Sequence, residues 1–385
     1  MRVRKVHGAN GEVSFELLTD AGEQIPAVEG FLRHLLARGY SPNTLSAYAH
    51  DLLHLFRFLA HRDLNYEDFT PAESLAFLEY LREIPSSARG QRLSPVLTTV
   101  TDGQPSTHLS PTSVNRILAA VSSFYEYLIV SGRLPNDENP LQKTGDSATS
   151  RVSERYRPFL GRAGKQSPVR RVLRVRTAQR LPRPLDEEQV AALLGSLRRL
   201  RDRAMFLLMV QGGLRPGEVL NLHIGDVQYG RRRVVIRFRT DHPKGARTKS
   251  RQERVVDLRE PEALAAVSEY VMRERPTEAE ATHVFLVGGK GNKRHEPLSY
   301  GALVKLFARR CEQLGIRKPW VTPHALRHTH ATQMWEGGMR ELTLQKRLGH
   351  ASPESTRIYT RVSDAAMVEE YLRALGRYDE ERAKG

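Results

Sequence analysis

The chain has 385 residues, enough for two domains that each bury a core. Its formal net charge of +16 and pI of about 10.1 point to a polyanionic partner, with nucleic acid first among the choices. A single cysteine, Cys311, excludes an internal disulfide and fits a reducing cytoplasm, no signal-peptide core follows Met1, and the apolar run Ala204 to Val210 is far too short to span a membrane, so a soluble, cytoplasmic protein is expected.

Residues 1–26 read as an N-terminal extension, with a short strand pair turning at Ala9-Asn10-Gly11. From Val28 the apolar positions Phe31, Leu32, Leu35 and Leu36 follow helical spacing, and Ser41-Pro42 opens a second helix that carries Leu45, Tyr48, Leu52, Leu53 and Phe56. Thr70-Pro71-Ala72-Glu73 is a capping box that starts a third helix through Leu75, Phe77, Leu78 and Leu81. Ser110-Pro111 starts a fourth, holding Ile117, Leu118, Val121, Phe124 and Leu128. Four such helices make a bundle over residues 27–140. A polar, Ser/Thr-rich insertion from Pro85 to Leu109 interrupts it, read either as a loop or as a reach toward DNA or another subunit.

Residues 141–180 form a basic linker. From Arg151 to Arg183 the basic residues, among them Arg170, Arg171, Arg174 and Arg176, face one acid, Glu154. A solvated charge run is the ordinary explanation for such a segment. Next to a helical bundle and the anion site of the second domain, a strap that tracks DNA phosphates explains it better, and its affinity would fall with salt as counterions are released.

The second domain, residues 181–385, opens where Asp186 caps a helix with Val190, Leu193 and Leu194. A buried helix over Ala204 to Val210 follows, then a β-hairpin pairing Val234 to Arg239 with Glu253 to Leu258, a helix from Pro261 to Arg273, a strand Val284 to Val287 and a helix from Tyr300 to Leu314. The fold class is therefore mainly α with a small antiparallel β-sheet.

The chemistry-bearing residues lie in this half. Thr322 caps a helix with Pro323 in its first turn, so His324 and Arg327 share one face a turn apart. That helix stops at Gly337-Gly338, a second ends at Leu348-Gly349-His350, and Ser352-Pro353 starts a third with Tyr359 near its end. Upstream, Arg215 precedes a helix start that holds Pro216 and Glu218, where an anion is welcome. Glu218 orients a guanidinium. The hairpin turn carries Lys244 and Lys249. Two guanidinium groups can hold the non-bridging oxygens of a phosphodiester while a phenol attacks phosphorus. A free phenol, with a pKa near 10, is ionised in only about one molecule per thousand at neutral pH and needs that help. His324 can donate to the phosphate or take the phenol proton, His350 can support the leaving group or the phosphate, and a hairpin lysine can protonate the leaving oxygen.

The ordered series Arg215, lysine, His324-x-x-Arg327, His350, Tyr359 resembles the tyrosine recombinase (phage integrase) family across roughly Arg180 to Leu375. The resemblance implies an N-terminal helical core-binding domain that clamps DNA and a C-terminal catalytic domain. It also implies strand cleavage through a 3′-phosphotyrosine, with the 5′ oxygen leaving. By register Lys249, rather than Lys244, is similar to the family's hairpin lysine. No cofactor and no metal is called for. The partner is double-stranded DNA, and accessory DNA-bending proteins or partner recombinases are admitted. The segment Asp364 to Leu375, with Met367, Val368, Tyr371, Leu372 and Leu375 on one side, corresponds to an exchange helix that docks into a neighbouring subunit and builds a homotetramer.

Among functions, a recombinase of a transposon or integrative element comes first. No arm-binding domain precedes Val28, unlike the lambdoid integrases, and the insertion and linker depart from the shorter chromosome-dimer resolvases. A phage integrase or such a resolvase is the alternative, followed by a non-catalytic DNA-binding protein. A metal hydrolase using His324, His328 and His350 lacks the glutamate of His-Glu-x-x-His.

Overall fold

Pro26, Pro42, Pro71 and Pro111 each stand at the first position of a helix, where the missing N–H leaves nothing unpaired. In the computed structural model these residues open α1 (Pro26–Ala37), α2 (Pro42–His61), α3 (Pro71–Glu83) and α4 (Pro111–Val130). The structure describes residues 1–7, 13–85, 100–101, 104–105, 108–134, 138–145, 169–177, 183–248, 253–350 and 356. The chain divides into two units where Ala178 meets Gln179.

In the first unit, Ser41, Thr70 and Ser110 accept the N–H groups of Thr44, Glu73 and Ser113 at 3.2, 3.4 and 3.2 Å. The capping box expected at Thr70 forms only this half, because the Glu73 carboxylate takes the Arg62 guanidinium at 3.1 Å. The core is largely aromatic. Phe124 meets Phe31 and Phe56 edge-on at centroid distances of 5.6 and 6.0 Å, Phe69 stacks on Tyr125 at 5.5 Å, and the Tyr125 hydroxyl donates to the Tyr66 carbonyl at 2.8 Å. Strands β1 (Arg2–His7) and β2 (Val13–Leu18) pair antiparallel, Arg2 opposite Leu18 and His7 opposite Val13, and pack on α2; the turn between them lies outside the described residues. Within the insertion, β3 (Val100–Thr101) pairs with β4 (Gln104–Pro105), and Pro85 bridges His108.

The far end of the basic segment belongs to this unit. β5 (Lys143–Gly145) pairs antiparallel with β6 (Val169–Arg171), and beyond it Leu173 and Val175 pack against the core while Arg174 and Arg176 are exposed. Extended alternation turns apolar residues inward and arginines outward. Asn115 fastens the strap from α4: its Nδ2 donates to the Val175 carbonyl and its Oδ1 accepts the Val175 N–H, both at 2.9 Å. The side chains of Arg170 and Arg171 lie outside the described residues, as does the segment 146–168.

In the second unit, Asp186 caps α5 (Glu187–Gly195) by accepting the Gln189 N–H at 2.7 Å. Helix α6 (Leu200–Gly212) is buried on nearly every side, so its sequence carries no amphipathic stripe. Both α8 (Pro261–Arg273) and α10 (Pro323–Glu336) pack on it. Between α6 and α8 in the chain come α7 (Pro216–Leu220) and a sheet in the order β7 (Val227–Gln228), β8 (Arg233–Ile236), β9 (Arg254–Asp257); α9 (Tyr300–Gln313) lies between α8 and α10, and α11 (Glu341–Leu348) follows α10.

Three local expectations change. The hairpin gains a third strand, β7, and β8 ends at Ile236, because Arg237 and Arg239 turn to close on Asp226. Val284 to Val287 forms no strand: it is held by isolated bridges and by the Arg201 guanidinium, which donates to the carbonyls of Leu286 and Val287. The Thr322 side chain makes no cap, and its carbonyl accepts the Ala325 N–H at 2.7 Å instead. No helix among the described residues is long and apolar enough to cross a membrane.

Replacing Asn115 with Leu removes both bonds that hold the strap. The Val175 amide should then lose its hydrogen-exchange protection, and the first unit should be destabilised by about 1–3 kcal/mol. Unchanged protection at Val175 would show that the strap is held by its apolar contacts alone.

Candidate active site

Two helix ends and one carboxylate build the site. Helix α6 ends at Gly213 and α11 at Gly349, both left-handed at φ +64° and +63°. A Cβ on Gly213 would stand 2.5 Å from the His330 ring, and one on Gly349 would stand 2.7 Å from the Arg254 guanidinium. Glycine therefore serves both the turn and the close packing around it. The carbonyls these ends leave unpaired point inward. Arg327 donates to the Gly213 carbonyl at 2.6 Å and to the Leu348 carbonyl at 2.7 Å, and Arg215 donates to the Gly349 carbonyl at 3.0 Å.

Glu218, 2% exposed, lies beneath these groups. Arg254 clasps it with two bonds of 2.8 and 2.7 Å, Arg215 adds one of 2.8 Å, and Arg327 stands 3.9 Å away. Burial alone would raise the Glu218 pKa, but hydrogen bonding and charge from Arg254, then the charges of Arg215 and Arg327, bring it down to about 2. The carboxylate is ionised, and three guanidinium groups against it leave two positive charges for an anion. Glu218 also accepts the Arg215 N–H at 2.8 Å. The first donor of the short helix α7 is thus occupied, and Arg215 owes its place to Glu218 rather than to the helix terminus.

His350 completes the group. Its Nε2 accepts from Arg327 at 3.0 Å, so the proton resides on Nδ1, which donates to the Thr356 hydroxyl at 2.9 Å. Burial, then the charges of Arg327, Arg215 and Arg254, push its pKa to about 3, so it is neutral at neutral pH. A second imidazole repeats the pattern: His330 accepts from Arg347 at Nε2 (2.9 Å) and donates from Nδ1 to the Val210 carbonyl (2.9 Å), with its pKa lowered to about 3 by burial first. It ties α10 to α6, and Arg347 ties α11 to both.

Of the residues expected from sequence, Arg215, Glu218, Arg327 and His350 come together here. His324 lies in the first turn of α10, near His328, whose pKa is lowered to about 4 by burial and then by the charges of His324 and Arg327. Lys249 and Tyr359 lie outside the described residues. The Lys244 ammonium pairs with Glu296 at 2.7 Å. Sequence reasoning missed Arg254, His330, Arg347 and Thr356. Arg254 had one usable signal, its place at the start of an apolar strand where a charge needs a partner.

Two measurements probe this electrostatic frame. Glu218→Gln leaves three guanidinium groups without their shared carboxylate and should cost about 3–5 kcal/mol in urea unfolding; a change within about 0.5 kcal/mol, as at an ordinary surface site, would contradict the frame. The lowered imidazoles set the acid response. His330 and His350 at about 3, and His328 and His283 at about 4, lie below the unfolded value of 6.5. The folded state thus binds fewer protons, and its stability is fully present above pH 6.5 and is lost as pH falls toward these values. The thermal midpoint of the second unit should fall steadily across that window, and a flat profile would contradict it.

Comparison with known proteins now places the chain. Residues 183–366 match the phage integrase family, and residues 28–132 match the phage integrase N-terminal SAM-like domain. Transposase A from transposon Tn554 of Staphylococcus aureus is 30% identical over 385 residues, covering 99% of this chain and 100% of that protein. Tyrosine recombinase XerC of Caldanaerobacter subterraneus is 28% identical over 89% of this chain and 85% of its own. In fold, the Tn1549 transposon integrase in complex with transposon right end DNA aligns over 91% of this chain and 99% of its own with a TM-score of 0.56 at 14% identity. XerH recombinase bound to palindromic difH aligns over 87% and 81%, also at 0.56, with 18% identity. The chain belongs to the phage integrase family of tyrosine recombinases.

Proposed function

We propose that this protein is a site-specific DNA recombinase of a transposon or integrative element. It cuts and rejoins strands of double-stranded DNA through a 3′-phosphotyrosine at Tyr359. The observation that carries the reading is the convergence of Arg215 and Arg327 on Glu218, the two glycine-ended helices and His350, which aims two cations at one place. Among the described residues Arg215 gives one side-chain N–H to Glu218 and one to the Gly349 carbonyl, and its remaining N–H groups suit a phosphate.

In the reaction the Tyr359 oxygen attacks phosphorus, the bond from phosphorus to the 5′ oxygen breaks, and a proton passes to that oxygen as the hydroxyl leaves. One phosphate diester replaces another, so the step needs no nucleotide and runs backward when another strand's hydroxyl attacks. Arg215 and Arg327 stabilise the charge on the non-bridging oxygens. His324 serves the phosphate or the phenol proton. His350, neutral and hydrogen-bonded through both nitrogens, fixes Arg327. Lys249 is the proton donor to the leaving oxygen; the ion pair of Lys244 with Glu296 favours it over that residue.

The strap residues Arg170, Arg171, Arg174 and Arg176 track phosphates beside the helical bundle. Asp364 to Leu375 acts as an exchange helix that joins four copies on synapsed DNA, with accessory DNA-bending proteins or partner recombinases as further partners. The likeness to the Tn554 transposase over the whole length supports the mobile-element role. We take the domain boundaries at 26, 140 and 180 from the sequence; the packing of Leu173 and Val175 on the core of the first unit supports a strap attached to the bundle.

The nucleophile is the direct test. Tyr359→Phe should abolish the covalent protein–DNA adduct while duplex binding stays within about tenfold of the parent, since a hydroxyl contributes about 0.5–1.5 kcal/mol to a ground-state contact. An adduct that persists in this variant would remove Tyr359 from the mechanism.

A further inference from the structure

Apart from the group around Glu218, the second unit holds a cavity of about 370 Å³ whose lining includes Arg183, Leu185, Asp186, Lys318, Trp320 and Val321. That is the lower end of the range for ligand sites, about 300–1,000 Å³. Its walls are pinned. The Thr329 hydroxyl accepts the Leu185 N–H at 2.9 Å and donates to the Leu185 carbonyl at 3.3 Å, which fixes the segment after Arg183 to α10. On the other side, Lys318-Pro319-Trp320-Val321 closes a turn in which the Val321 N–H donates to the Lys318 carbonyl at 3.0 Å, and Arg317 holds the Val321 carbonyl at 3.2 Å.

The turn leaves Trp320 38% exposed. Cations occupy its ring: the Arg183 guanidinium carbon is 4.3 Å from the ring centroid and the Lys318 ammonium 5.7 Å. A guanidinium that stacks uses its face, so the N–H donors at its edge stay available. Among the described residues neither cation forms an ion pair. The one carboxylate in the lining, Asp186, is turned into its helix cap at 2.7 Å from the Gln189 nitrogen. Two exposed cations on one aromatic platform, beside a hollow of this size, fit a phosphodiester.

We infer that Arg183 and Lys318, oriented by Trp320, form a seat for a DNA backbone phosphate separate from the scissile one. This rests on the recombinase reading. Two features favour DNA over an acidic protein segment: Arg183 ends the basic run that begins at Arg151, and the turn that carries Lys318 and Trp320 leads directly into α10, whose first turn holds His324. The seat would fix the duplex against the catalytic domain at a second point, and two fixed points set orientation as well as position. Trp320 is a positioning residue here, acting through the two cations.

The test uses the full-length protein and a fluorescein-labelled duplex of mixed sequence, because phosphate contacts are independent of sequence. Anisotropy is followed across a salt series. Arg183→Gln and Lys318→Gln should each reduce the slope of log affinity against log salt by about 0.9, and the double variant by about twice that. Trp320→Leu keeps both charges but loses their platform, so binding should weaken several-fold, and Trp320→Phe should restore most of it. An unchanged slope in the double variant overturns the seat while leaving the recombinase reading in place. So does a double variant whose slope is intact but whose self-association is lost in sedimentation, which would assign the cavity to an acidic segment of a second copy. A parent protein without salt-dependent duplex binding would instead overturn both.

Discussion

A buried, ionised carboxylate is the constraint on which the catalytic half depends. Glu218 cannot be taken out of water alone, and the three guanidinium groups around it could not be gathered without it. Their mutual need brings together a helix start, a strand and a helix interior far apart in sequence. The arrangement keeps excess positive charge in one place, yet each cation is fixed by hydrogen bonds. A preorganised field of this kind loses little to rearrangement when charge develops on the substrate.

The helix ends supply the rest of the geometry. Because α6 and α11 finish in left-handed glycines, their last carbonyls turn toward Arg327 and Arg215 and act as further acceptors with the helix dipoles behind them. The two imidazoles work as neutral spacers. Each accepts an arginine N–H on one nitrogen and donates from the other, so each has one tautomer and one orientation. Burial first, and then the neighbouring arginine charges, keep both rings neutral, as this use requires.

In the first unit the physical problem is different: a large aromatic core and, against it, a strap that must present arginines while staying attached. Alternation along an extended chain solves it, with Leu173 and Val175 inward and Arg174 and Arg176 outward. The single side chain of Asn115 meets both backbone groups of Val175 and sets the register. From sequence the segment read as a basic strap, with no strand expected in it. Its apolar residues are too few to announce a strand, and only the bundle surface beneath them gives them a partner.

Much was legible in the chain itself because it is locally encoded. Ser-Pro and Thr-Pro pairs mark helix starts through the geometry of the first turn, helical spacing marks the buried faces of α1, α2 and α4, and the ordered arginine, His-x-x-Arg, histidine and tyrosine series identified the family. What local spacing does not encode is which distant group satisfies which. That Arg254 rather than Arg215 makes the two-bond clasp on Glu218, that His350 holds its proton on Nδ1, that Glu73 turns from its cap to Arg62, and that Val284 to Val287 pairs with no strand were decided by tertiary packing. The reason is that a buried polar group takes its partner from whatever packing brings within about 3 Å. For Glu218 those partners come from three separate elements, and no stretch of sequence contains them all.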